Sequence, residues 1–88
     1  MAKSGQVVVA AAGTAEQGPD VIGGEFFIKA HPDNTGVAWV GESGADVSDA
    51  TGFPLEPGES ILVRVGNLKD LYFDVDVNGE AVCWIRVW

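Results

Sequence analysis

Apolar and polar residues alternate along most of this chain with a period of two, the spacing of strands that bury one face and wet the other. The pattern is strongest from Asp70 to Trp88, DLYFDVDVNGEAVCWIRVW. There Leu71, Phe73, Val75 and Val77 alternate with Tyr72, Asp74 and Asp76. Asn78-Gly79 follows, a dipeptide suited to the two φ > 0 positions of a type I′ turn, and it predicts a hairpin closing onto Glu80 to Trp88. That second strand is apolar on both faces, with Ala81, Cys83, Ile85 and Val87 on one and Val82, Trp84, Arg86 and Trp88 on the other. A small domain has one core, so such a strand needs a second cover, either another sheet layer of its own chain or another protein.

The rest of the chain reads as further strands and turns. Residues 1–6 are expected as a loose tail and 7–88 as a single β domain. Gln6 to Ala12 is a first strand, and the Gly- and Pro-containing stretch Gly13 to Asp20 is a turn region. Glu25 to His31 sets Phe26, Ile28 and Ala30 against Phe27, Lys29 and His31. His31-Pro32-Asp33-Asn34-Thr35-Gly36 is a turn by composition. Val37 to Gly41 follows, with Ala38 and Val40 opposite Val37 and Trp39. Glu42 to Thr51 is a surface loop or short edge strand anchored by Val47, and Phe53, Pro54 and Leu55 tuck it under the sheet. Pro57-Gly58 fits a type II turn with Gly at its third position. Glu59 to Gly66 is a strand with Ile61, Val63 and Val65 opposite Leu62 and Arg64, and Asn67 to Asp70 turns the chain toward the C-terminal pair. Six or seven mostly antiparallel strands and no helical period predict an all-β domain, a small β-sandwich or jelly-roll-like barrel.

Composition narrows the function classes. The formal net charge of -8, with five scattered basic residues, argues against nucleic-acid binding, which needs clustered Lys and Arg. No apolar run approaches the roughly 20 residues of a membrane helix, and the VVVAAA run near the N-terminus is too short for a secretion signal. The single cysteine, Cys83, rules out an internal disulfide and is expected on the inward face as a small core residue.

Candidate chemistry is sparse. Asp74-Val-Asp76-Val-Asn78-Gly79 opens like a helix-loop-helix calcium site, but position twelve of that loop is Ile85 where a bidentate Glu is needed, and strands flank it. An acidic strand face ending in an Asn-Gly turn accounts for the same residues. His31, the only histidine, sits before Pro32 in a turn. One His and one Cys cannot build a Cys/His metal cluster within one chain. Neither a nucleophile elbow nor a phosphate-binding loop is present. No cofactor, no metal and no enzymatic activity are expected. The aromatics are the remaining signal. Trp39 and one of Trp84 or Trp88 are expected in the core. Trp84, Arg86 and Trp88, with Phe27 and Tyr72, form the candidate interface, because Trp, Tyr and Arg are the residues enriched at binding hot spots. The rival use of the tryptophans is a carbohydrate-stacking platform.

Several of these segments together resemble a family. FFIKAHPDNTGVAWVG, GFPLEPGESILVRVGNLKDLYFDV and NGEAVCWI are similar to small β-rich structural proteins of tailed bacteriophages. The shared pattern runs through Gly13 to Gln17, Ile28 to Ala30, Asn34 to Gly41, Gly52 to Ser60 and Asn67 to Tyr72, and it spans roughly residues 13–85. It departs from the family at Glu16, where an apolar residue is usual. The resemblance implies a non-enzymatic virion component made in the bacterial host cytoplasm. It further implies a capsid decoration, or cement, protein that binds the outer face of the major capsid protein lattice, often as a homotrimer. A tail or fibre component of the same class of particle is the alternative, and a small carbohydrate-binding module stands behind that. The matching positions are turns and core, so the resemblance carries over no catalytic or ligand residue. On this reading, polar replacements of Trp84 and Trp88 spare the fold and weaken assembly.

Overall fold

The computed structural model describes residues 3–42 and 52–88. Its strands are β1 (Lys3–Val8), β2 (Glu16–Gln17), β3 (Glu25–Ala30), β4 (Ala38–Gly41), β5 (Phe53–Leu55), β6 (Ser60–Arg64), β7 (Tyr72–Val75) and β8 (Ala81–Arg86). A 3-10 turn, Leu68–Asp70, is capped by the Asn67 side chain, which accepts from Lys69 N. β1 pairs with β8, β2 with β7, β3 with β6 and β4 with β5, as if the chain were one long hairpin doubled back between β4 and β5. Two more pairings, β3 with β8 and β4 with β7, knit this ribbon into four-stranded sheets. The first sheet has the order β1-β8-β3-β6 and the second β2-β7-β4-β5. All these pairings are antiparallel, and the arrangement is a jelly roll, a two-layer β-sandwich.

The inward residues follow the alternation. Phe26, Ile28 and Ala30 of β3 meet Ala38 and Val40 of β4 and Phe73 and Val75 of β7, with Leu55, Val82 and Trp84 completing the layer. Val9, Val21, Leu68 and Leu71 close its rim. Gly58 takes φ +85, and Glu59 N donates to Glu56 O at 2.9 Å, as a type II turn at Pro57-Gly58 requires.

Three expectations are corrected. The Asn-Gly hairpin does not form, because β7 belongs to the second sheet and β8 to the first. Gly79 has φ +82 while Asn78 stays at negative φ, so the turn has the type II pattern and carries the chain across the sandwich. The end of β1 takes the place of a hairpin partner: Gly79 N donates to Val9 O at 2.9 Å and Val9 N to Glu80 O at 3.0 Å. Second, β1 begins at Lys3, within the stretch expected as a tail, because β8 offers a free edge from Ala81 to Arg86. Third, β2 and β5 bring the described strands to eight. Both are too short for a periodic signal, and Pro54 of β5 disguises an edge strand as a loop. The loop read from Glu42 to Thr51, with Val47 as its anchor, lies outside the described residues apart from Glu42.

Candidate functional site

β8 runs through the middle of the first sheet and shows what its two apolar faces do. Trp84 points inward, only 6% exposed. Its ring meets Phe26 edge-on, with centroids 6.4 Å apart at 71°. It also lies across Gly5 of β1, where an added Cβ would stand 3.0 Å from the indole. The buried Trp84 Nε1 has no hydrogen-bond partner among the described residues. Trp84 is therefore core and not interface. Cys83 exchanges places with it, lying half-buried on the outer face. Desolvation pushes the Cys83 thiol up, against the pull of the Lys29 charge.

The other proposed interface residues do not share a patch. Arg86 is half-buried and donates from Nη1 to Ile22 O at 2.9 Å. Trp88, 81% exposed, lies beside Gly24, and its carbonyl accepts from Gly24 N at 2.7 Å. Both stand at one end of the roll. Tyr72 is half-buried in the second sheet, opposite Gln17 and Gly41. Trp39, expected inside, is also only half-buried; it sits on the second sheet's outer face and donates from Nε1 to Asp76 Oδ1 at 2.8 Å.

Phe27 has company that the sequence reading missed. Strand register places Ile85 of β8, Phe27 of β3 and Leu62 of β6 side by side across the first sheet. All three point outward, at 40%, 43% and 47% exposure. Val8 and Val87 are exposed beyond them. In the next row, Cys83, Lys29 and Ser60 are likewise adjacent. With Phe27 and Ile85 they line a shallow hollow of about 310 Å³. The row on the other side joins Glu25 to Arg64, whose Oε2 and Nε are 3.2 Å apart. In a chain of net charge -8, this face thus carries Lys29 and one neutralised pair. The missed signal was an apolar residue at both phases of the alternation, in Phe26-Phe27-Ile28 and in Ile61-Leu62-Val63.

The calcium-like string is occupied by structural contacts. Asp74 is buried and its Oδ1 accepts from Gly13 N at 3.0 Å; Asn78 Oδ1 accepts from Ala12 N at 2.7 Å. Asp76 holds Trp39, as above. Among the described residues, no three His, Cys, Asp or Glu side chains are grouped to hold a metal ion. His31 stays in its turn, its Nδ1 accepting from Asp33 N at 3.0 Å. The same turn is fastened to the first residue of β8 and to Glu80 just before it. Asn34, buried, donates from Nδ2 to Ala81 O at 2.8 Å and accepts at Oδ1 from Ala81 N at 3.1 Å. The Glu80 carboxylate accepts from Thr35 N at 2.6 Å, Thr35 Oγ1 at 2.9 Å and Gly36 N at 3.0 Å. Desolvation raises the Glu80 pKa, but these three hydrogen bonds outweigh it and hold the group below the usual glutamate value.

The geometry describes a two-layer module with one outer face apolar and almost uncharged among the described residues. No family model, curated protein or solved structure matches the chain.

Proposed function

We propose that this protein is a non-enzymatic structural component of a virion, a capsid decoration protein that docks on the major capsid protein lattice. The observation that supports docking is the outward row Ile85–Phe27–Leu62, which none of the described residues covers. The resemblance to phage structural proteins supports the choice of partner. Jelly rolls serve capsid and lectin domains alike, so the fold does not choose between them, and the face must. The partner's matching surface is apolar with a carboxylate to meet Lys29.

Size supports a lattice over an isolated partner. Four strands about 4.8 Å apart and about five residues long present roughly 300 Å², against about 800 Å² per partner in a stable standard-size interface. A contact that small holds through repetition across many copies.

The carbohydrate reading loses one half of its platform, because Trp84 is buried while Trp88 is exposed. The test mixes purified protein with capsids that lack it and follows co-sedimentation. Wild type is expected to bind at hundreds of copies per particle, and a Phe27→Ser, Leu62→Ser double variant to lose at least tenfold in affinity with an unchanged melting temperature. A handful of copies on intact particles points to a tail or fibre position. Absence of binding sinks the capsid reading.

A further inference from the structure

The four sheet edges are not equally protected. β2 is two residues long, and β5 carries Pro54 in its three, which suits neither to pairing with another chain. The β6 edge is fenced by charge, since Arg64, Lys69, Asp70 and Glu42 line the hollow of about 520 Å³ beside it. β1 is different. Its six residues, Lys3–Val8, hold neither proline nor carboxylate, and its one charge, Lys3, is at the tip.

Successive residues of an antiparallel strand turn their backbone groups to opposite sides. Val9 bonds toward β8, through Val9 N to Glu80 O and Gly79 N to Val9 O. Val7, Gly5 and Lys3 then face β8 as well, and Ser4, Gln6 and Val8 direct their N–H and C=O groups to the edge that no other described strand pairs.

We propose that two copies of this chain pair through β1, antiparallel about a twofold axis at Gln6. Gln6 then faces Gln6 of the second copy, and Ser4 faces its Val8. Three hydrogen-bonded pairs give six backbone hydrogen bonds with no carboxylate on either strand. Val7 of each copy falls opposite Gly5 of the other, beside the indole of Trp84 that occupies the place of a side chain there. A chain with thirteen acidic residues meets its own kind most cheaply where it has none. The axis closes the assembly, whereas joining β1 to β6 would propagate a filament. The pairing yields an eight-stranded sheet with two apolar rows on one continuous face. It does not depend on the capsid reading.

The experiment is sedimentation of the purified full chain over a wide concentration range, with Gln6→Pro as the variant. Proline removes the central open-edge donor and leaves the bonds of β1 to β8 in place. Wild type is expected to reach twice the monomer mass, and Gln6→Pro to remain monomeric with a native circular dichroism spectrum. Gln6→Cys in a Cys83→Ser background is expected to form a disulfide-linked dimer on mild oxidation, which needs no folding argument from the proline. A wild type that stays monomeric at the highest concentration, a trimeric mass, or an undiminished dimer in Gln6→Pro overturns the pairing.

Discussion

The outer faces of the two sheets have been treated in opposite ways. On the second sheet, the loop after β1 folds back as a roof: Ala12 and Gly13 hand their amide hydrogens to Asn78 and Asp74, and Asp74 is buried as a result. Trp39 beside it has its indole N–H on Asp76. Polar side chains there are spent on fastening the molecule's own loops. On the first sheet, Ile85, Phe27 and Leu62 face outward with nothing drawn over them among the described residues. The difference separates two meanings of a conspicuous side chain. The motif-like string Asp74 to Gly79 belongs to internal fastening, and unremarkable apolar residues on the opposite face make the candidate contact surface.

Three substitutions test that division. The largest effect is expected inside β8: Trp84→Ala removes a buried ring, and losses for such changes run about 3–5 kcal/mol, a large part of the stability of a small domain. Urea melts check this, and an unaltered midpoint would return Trp84 to the surface. A smaller loss is expected from Asp74→Ala, about 1–3 kcal/mol, because the amides of Gly13 and Val75, both donating to Asp74 Oδ1, lose a charged acceptor. Hydrogen exchange at Gly13 reads it directly, with faster exchange if Asp74 pins the roof. The mildest effect is on acid tolerance. The Glu80 pKa is depressed in the folded chain, so its contribution is present above the unfolded value of about 4.3 and is lost as pH falls through the lower folded value. Glu80→Gln is expected to flatten the dependence of the melting temperature on pH below that value. An identical acid profile in the variant would mean that the clip on Thr35 and Gly36 does not matter.

Much of the architecture was readable from alternation alone. The inward sets of β3 and β7 are those that period two assigns, and the Pro57-Gly58 turn has the φ its sequence implies, whereas β4 turns Ala38 and Val40 inward and the expected Trp39 outward. Alternation states which residues turn inward but not to which sheet a strand belongs. Phe73 and Trp84 face the same core whether β7 and β8 lie side by side or in opposite layers, so an Asn-Gly turn was compatible with both. The inversion of Trp84 and Cys83 was avoidable. A two-residue turn at Asn78-Gly79 sets Val75 against Val82 and Phe73 against Trp84, and that register already puts the tryptophan on the buried side. Asn34 was legible as a turn residue. Its service as an extra rung against Ala81 depends on a contact 47 positions away, which no local pattern encodes. The outward row was missed because Leu62 and Ile85 are ordinary strand residues, and only the register across three strands makes them neighbours.

The position of β8 also sets the order of events in synthesis. β1 and β3 touch only through it, and it follows every other described strand in the chain. While a ribosome is still making residues before Ala81, the first sheet exists as a lone N-terminal strand and an incomplete pair, with Phe26 and Ile28 lacking their neighbours. The first sheet cannot assemble strand by strand in chain order, since its closing contacts join the first described strand to the last. The first sheet closes only once β8 has been made, and chains cut short of Trp84 leave a bare core and unpaired strand edges to the aggregation that such edges invite.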